Sequence, residues 1–242
     1  MFRHQGKTRT IAHNRQIASL LSFVAGVVNV AGFIAVQRLT TNVTGHFAYF
    51  VDEVFKFRFA DSLVYFLYIL FFFLGSFASS VVVEIITRQN EQFMYVIPAA
   101  TESIILVSVA VFGKSLIEIN PNVIACTLLF AMGLQNSLVT RISNAIVRTT
   151  HLTGLFTDLG IELSQLFFYK EKKQHDRLIT TIKLRFRIIA YFFTGGIIGG
   201  IFYAYMSLHV LFIPASLLII GLFYDSIKFR LIVWKRRQFP GD

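Results

Sequence analysis

A short motif, T-T-x-x-T-G, occurs twice in the chain, at Thr40–Gly45 and at Thr149–Gly154. A threonine at a helix start, here Thr44 or Thr153, can accept hydrogen bonds from the free amides of the first turn. Glycine lets a ligand or another chain approach the backbone closely. Amides at a helix start carry partial positive charge and bind anions or polar groups. The motif therefore predicts two helix starts that either bind a solute or serve only as caps.

Three side-chain amides lie in apolar segments just before the two motifs. Hydrogen bonds between helices would account for them, but their position also suits a binding site. If the two helix starts face each other near the membrane midplane, these residues would resemble the central sites of transporters that are built from repeats. The candidate substrate-binding residues are Asn29, Thr40, Thr41, Asn42, Thr44, Gly45, Gln135, Asn136, Thr149, Thr150, His151, Thr153 and Gly154.

Four acidic residues are candidates for coupling to a proton or an ion. Glu102 lies in the middle of an apolar run, where a charged side chain costs roughly 2.5–3.5 kcal/mol on insertion scales. Glu53 and Glu162 follow the two motifs at the same spacing, and Asp158 shares a helical face with Glu162. We expect these residues to line a cavity, with headgroup contact as the alternative for the acids after the motifs. The histidines His46 and His151 could also carry protons.

The sequence contains no phosphate loop, nucleophile elbow, zinc signature or dinucleotide fingerprint. Its one cysteine, Cys126, cannot form a disulfide within the chain. We therefore expect no catalytic residue, no metal ligand and no cofactor, and a protein that is not an enzyme.

The elements that would position these residues are membrane helices. Apolar residues make up 55% of the chain and the mean hydropathy is +0.64, whereas a soluble domain needs more polar surface. A spanning helix needs about 20 mostly apolar residues. Two shorter helical stretches carry acids, at 44–59 and 153–169. Six runs are long enough to span: 16–37, 62–83, 93–112, 123–140, 188–207 and 208–224.

Comparison of the chain with itself indicates an internal repeat. Besides the two motifs, Gly26 and Asn29 match Gly133 and Asn136. The F-F-x-G segment at 72–75 matches that at 192–195, and I-P-A at 97–99 matches 213–215. We predict an all-α membrane protein with six long transmembrane helices and two short helices, re-entrant or half-span, in two internal repeats. The first repeat covers residues 16–113 and the second 121–227, with a linker loop at 114–120.

The relation between the repeats stays open at this point. If the short helices cross the membrane, the repeats are parallel; if they are re-entrant, the repeats are inverted. Both arrangements place the same number of basic residues inside, and both place the basic ends, 1–15 and 228–242, in the cytoplasm. Acids and glycine in both short helices favour the re-entrant arrangement. The net charge of +10 is explained by basic clusters beside apolar runs, so we expect no nucleic-acid partner.

The sequence resembles the YoaK-like family of bacterial integral membrane proteins, a domain of unknown function. The resemblance covers about residues 16–227 and includes A-M-G-L-Q-N at 131–136, R-T-T-H at 148–151 and D-L-G at 158–160. Asn29 and His46 differ from the family pattern, which usually has Asp and often Asn at these positions. The resemblance implies a bacterial inner membrane and possible transport, with no established substrate.

These observations predict a multi-pass protein of the bacterial inner (plasma) membrane that transports a small solute or an ion. The alternative is a non-transporting membrane protein: a structural, sensory or assembly partner, or a membrane enzyme. The expected partners are the lipid bilayer, an unknown small solute or ion, and a second copy of the chain in a homo-oligomer.

Overall fold

A computed structural model describes residues 11–89, 95–143 and 149–223, and every regular element within these ranges is helical. Helices form because backbone amides and carbonyls in lipid must be paired within their own segment. Most of the expected basic N-terminus (1–15) and all of the basic C-terminus (228–242) lie outside the described residues. The helices are α1 Ile11–Val36, α2 Val43–Phe55, α3 Phe59–Gln89, α4 Val96–Ile119, α5 Pro121–Ile142, α6 Leu152–Phe168, α7 Lys172–Met206 and α8 212–223, with a 3₁₀ turn at Ser207–Leu211 between the last two.

Five of the described stretches are long and apolar enough to cross a membrane: Arg15–Val36, Phe59–Thr87, Val96–Ile119, Pro121–Ile142 and Lys172–Phe223. The all-helical class is therefore confirmed, and several long apolar helices are typical of a multi-pass membrane protein. The last stretch has 52 residues and would extend about 78 Å as one helix, against a membrane core of about 30 Å. It is interrupted at Ser207, which has a positive φ of 52°, and the 3₁₀ turn there separates α7 from α8.

Helix α1 packs against α7 in a parallel direction. Gly195 lies against the backbone of Phe23, and Gly199 lies against the backbone of Val27. Residue numbers therefore increase in the same direction along both helices. A Cβ added to Gly26 would overlap the backbone of α7. The helices approach this closely because small residues leave room between the two backbones.

Helix α3 packs against α5 in the same way. Gly75 lies against the backbone of Phe130, and the Arg141 guanidinium donates to the Ser80 carbonyl oxygen at 3.0 Å. Residue numbers again increase in the same direction along both helices, so α3 and α5 are parallel. Gly133 occupies the corresponding close contact with the backbone of α3.

Helices α1 and α5 cross each other in opposite directions. The Gln135 amide reaches the Leu21 carbonyl oxygen at 2.9 Å, whereas Gly32, further along α1, faces the Leu128 side chain earlier in α5. The α1–α7 pair and the α3–α5 pair therefore run antiparallel to one another. The bundle has two halves of opposite direction, joined at the α1–α5 contact.

The short helices form hairpins with the helices that follow them. Helix α2 has 13 residues and α6 has 17, or about 20 and 26 Å. Tyr49 stacks on Tyr65 and Phe57 contacts Phe59, so α2 runs antiparallel to α3. Helix α6 pairs with α7 through ionic contacts described below.

One expected boundary was wrong. The linker loop expected at 114–120 is mostly helix, because α4 continues to Ile119 and only Asn120 separates it from α5. The Asn120 side chain caps α5 by accepting from the Asn122 amide, and Pro121 occupies the first turn, where it needs no amide partner. Helix α7 begins at Lys172 and so includes the basic segment as well as the apolar run that begins at Ile188.

Candidate functional site

The first T-T-x-x-T-G turn folds back onto α1. After α1 ends at Val36, the chain returns until the Thr40 hydroxyl lies 3.3 Å from the Val28 carbonyl oxygen. The neighbouring Thr41 hydroxyl donates to the Asn29 side-chain oxygen at 2.6 Å. Both threonines are buried. The turn therefore reaches the middle of α1 before α2 leads away again.

Asn42, rather than Thr44, caps α2. Its side-chain oxygen accepts from the Gly45 amide at 3.1 Å, while Thr44 is an exposed residue inside the first turn of the helix. The expectation that Thr44 is the cap was wrong. Asparagine is at least as good a cap as threonine, and its position before Val43 places its oxygen over the free amides.

The second turn repeats this arrangement on α5. The Thr150 hydroxyl donates to the Asn136 side-chain oxygen at 2.8 Å. The Gln135 amide lies 3.2 Å from the Thr149 hydroxyl, and both residues are fully buried. Gln135 therefore joins the second turn to α1 as well as to α5, through its bond to Leu21.

The start of α6 differs from the start of α2. His151 precedes the helix and makes no capping hydrogen bond with its side chain. Its ring lies over Gly154, where an added Cβ would overlap the imidazole. Thr153 is exposed within the first turn, so it is not the cap either. The His151 ring thus lies over the start of α6 without capping its amides.

The two turns lie on either side of the middle of α1. Gln135, which holds the second turn, meets α1 at Leu21, whereas the first turn meets α1 at Val28 and Asn29. These levels are about 10 Å apart along the helix axis. Since the apolar stretch of α1 is Arg15–Val36, both levels lie well inside it. The turns are deep in the bundle but do not coincide.

Glu102 is completely buried on α4, on the stripe of residues that α4 packs against its neighbours. Neither carboxyl oxygen has a hydrogen-bond partner within the described part of the chain. An unpaired buried carboxyl is costly. Glu102 therefore points into protein rather than into lipid.

The acids after the two motifs differ in their surroundings. Asp158 and Glu162 both accept from the Arg185 guanidinium, at 2.8 and 2.9 Å. Glu53 is mostly buried and lies 3.7 Å from Arg58. One arginine of α7 pairs with both acids of α6 and offsets one of their two negative charges, which connects the two helices of the α6–α7 hairpin.

The comparisons with known proteins assign the chain to a family. The family described as "Protein of unknown function (DUF1275)" matches residues 17–224. The chain belongs to the DUF1275 family. The resemblance to YoaK-like proteins is confirmed, since these are members of DUF1275. A search of curated proteins and a search of solved structures each found no match.

One residue that contacts the first turn in this DUF1275 protein, Tyr68, was not predicted from the sequence. The Tyr68 hydroxyl of α3 donates to the Asn122 side chain of α5. Tyr68 also packs on the His46 ring at 4.7 Å between centroids, and His46 lies 2.5 Å from the Leu39 carbonyl oxygen. The sequence had indicated His46 as a residue of interest, and a tyrosine within an apolar run was the signal for its partner Tyr68. Within the described residues, no group of His, Cys, Asp and Glu could hold a metal ion.

Proposed function

We propose that the protein carries a small polar solute or an ion across the bacterial inner membrane. The observation that supports this is the pair of matching turns, which bring threonine hydroxyls and amides to the middle of two apolar helices. Discontinuous helices at this depth are tolerated where they are buried in protein or line a cavity. In transporters built from inverted repeats, such breaks form the substrate site.

The glycine contacts support a repeated architecture. A Cβ on Gly26 would overlap the Phe192 carbonyl oxygen, and a Cβ on Gly133 would overlap the Phe72 carbonyl oxygen. These four residues match in pairs when the two halves of the sequence are aligned. The first helix of each unit therefore packs on the third helix of the other unit: α1 on α7, and α5 on α3. Such a reciprocal pairing is expected if a two-fold axis relates the two units.

The helix directions support an inverted repeat. Since α1 and α5 occupy the same place in the two units but run antiparallel, one unit is upside down relative to the other. Each unit would then have three spanning helices and one re-entrant helix, giving six spans in total. With α7 and α8 as separate spans, this arrangement places both termini on one side. The basic segment 170–187 makes that side the cytoplasm.

The re-entrant path follows from the position of the first turn. Thr40 bonds to Val28 although α1 continues to Val36, so the chain goes back by about 12 Å along α1. Helix α2 then runs antiparallel to α3 and leads outward. The second turn, at the level of Leu21, would enter from the opposite side.

Two buried polar atoms without partners in the described part of the chain lie near the second turn and could bind a solute. The Gln135 side-chain oxygen and the Ser22 hydroxyl are buried without a hydrogen-bond partner within the described residues. They lie at the same level, since Gln135 bonds to the residue before Ser22. The Gln135 oxygen could accept from a solute and the Ser22 hydroxyl could donate to it. Glu102, buried on α4 without a partner within the described residues, is a separate group that could take up and release a proton. A site at Gln135 and Ser22 with a protonatable group elsewhere in the bundle would suit a polar solute moved with a proton.

The direct test is transport by the full chain in proteoliposomes. We would apply a pH gradient and a panel of organic anions, amino acids and polyols, and record currents on a solid-supported membrane. Transport predicts a current for at least one member of the panel. The variant Thr41→Val with Thr150→Val removes both matched hydroxyls and should lower this current at least tenfold.

A matched control removes hydroxyls that bond only within their own helix. Thr101 donates to Ile97 and Thr157 donates to Thr153, so Thr101→Val with Thr157→Val should leave the current unchanged. Equal currents in the turn variant and the control would exclude the turns as the site. No current with any solute would exclude transport of the classes in the panel.

One observation favours the alternative, a non-transporting membrane protein. The Thr40, Thr41 and Thr150 hydroxyls are already paired within their own unit. The two described cavities, of about 410 and 700 Å³, are lined by residues of α1, α6 and α7 and of the loop between α6 and α7, and by none of the turn residues. In this case the turns would be structural locks. Turn variants would then lower stability without changing any flux.

A further inference from the structure

A groove lies between the start of α1, one face of α6 and the basic half of α7. Its volume is about 700 Å³. Its apolar lining comes from both short and long helices and includes large side chains that are open to the surroundings, such as Phe186 at 64% exposed. The apolar lining residues are Leu159, Leu163, Ile182, Phe186 and Tyr191.

Three basic residues border this groove: Arg15, Lys183 and Arg187. Lys183 and Arg187 are one turn apart on α7, so their side chains project from the same face. Arg15 approaches from α1. None of the residues that line the groove is acidic, and no ion pair to these three is found within the described part of the chain.

The two acids of α6 that adjoin the groove residues Leu159 and Leu163 in sequence are paired with another residue. Asp158 and Glu162 on α6 both bind Arg185, which lies between Lys183 and Arg187 in sequence but faces α6. Arg185 therefore lies on a different side of α7 from Lys183 and Arg187, which pair with no acid within the described residues. Arg185 offsets one of the two carboxylate charges, and the three basic residues of the groove outweigh the charge that remains.

We infer that this groove binds one anionic phospholipid, with the phosphate at Arg15, Lys183 and Arg187 and an acyl chain along Phe186 and Tyr191. Basic pockets between membrane helices on the cytoplasmic side bind anionic headgroups. The depth agrees with this assignment. Arg15 begins the apolar stretch of α1, where headgroups meet the hydrocarbon core, and Tyr191 lies further along α7, toward the core. The inference is independent of transport, because it concerns the outer surface of the bundle.

The test is native mass spectrometry of the full chain in detergent, titrated with phosphatidylglycerol or with phosphatidylcholine. We expect one tightly bound phosphatidylglycerol and only weak, unsaturated binding of phosphatidylcholine. The variant Arg15→Gln/Lys183→Gln/Arg187→Gln should bind phosphatidylglycerol on the order of 100-fold more weakly, since each basic residue contributes about fivefold near an anionic surface.

A control variant removes the same charge elsewhere. Lys114, Lys172 and Lys173 are exposed and do not line the groove, so Lys114→Gln/Lys172→Gln/Lys173→Gln should bind phosphatidylglycerol as the unmodified protein does. Equal affinity in the groove variant and the control would overturn the inference. Equal protection from thermal unfolding by glycerophosphoglycerol, which has no acyl chain, would overturn the acyl part of it. Unfolding temperatures without lipid would check that both variants fold.

Discussion

The Gln135 side chain donates to the Leu21 carbonyl oxygen at 2.9 Å across the contact between α5 and α1. The same amide reaches the Thr149 hydroxyl. One fully buried side chain therefore connects both halves of the bundle and the second threonine turn.

Replacing Gln135 by leucine should lower the stability of the folded protein by about 1–3 kcal/mol, because a buried carbonyl and a buried hydroxyl lose their donor. Thermal unfolding in detergent, followed by size-exclusion chromatography, would measure this. Thr127→Val is the control on the same helix, since its hydroxyl bonds only to Val123. A loss no greater than that of the control would show that the amide is not a structural connection.

Replacing Gly26 or Gly133 by alanine should have similar and large effects, because each Cβ would overlap a backbone carbonyl of the partner helix. Overpacking of this kind costs about 1–3 kcal/mol or more. Gly160 is the matched control, since an added Cβ there meets nothing within 4 Å. Gly160→Ala should be neutral or stabilising by up to about 1 kcal/mol. Unequal losses at Gly26 and Gly133 would count against the two-fold relation of the units.

The inverted arrangement predicts that the two hairpin turns lie on opposite sides of the membrane. In a Cys126→Ser background, Phe57→Cys in the α2–α3 turn should react with an impermeant maleimide in intact cells. Glu171→Cys in the α6–α7 turn should react only after the membrane is made permeable. Reaction of both positions under the same condition would support the parallel arrangement instead.

Replacing Glu102 by leucine should raise stability by about 1–3 kcal/mol, because the unpaired carboxyl no longer has to be buried. If the carboxyl couples transport to a proton, Glu102→Leu and Glu102→Gln should both abolish the response to a pH gradient. Ser103→Ala, which removes a hydroxyl bonded only to Ala99, should change neither property. Full activity in Glu102→Leu would remove Glu102 from the mechanism.

The sequence by itself determined the class of the protein and the identity of its unusual residues. Apolar runs of about 20 residues can satisfy their backbone in lipid only as helices, so the long spans followed from composition. The two threonine motifs and Glu102 were conspicuous because polar groups are costly in such runs. The capping role of Asn42 was less clear, since asparagine and threonine are both good caps and only the helix boundary distinguishes them.

The tertiary structure decided how the helices run and which polar groups meet. Basic residues were equally consistent with crossing and re-entrant short helices, whereas the antiparallel contact of Gln135 with Leu21 depends on packing between distant segments. Arg185 had no sequence signal that linked it to Asp158 and Glu162, because ion pairs across a hairpin depend on helix rotation. Local pattern sets which segments are helices, but close packing of Gly26 on Phe192 and of Gly133 on Phe72 sets their partners. The packing partner of each helix depends on which two helix backbones can approach closely, and this is decided only when the chain is folded.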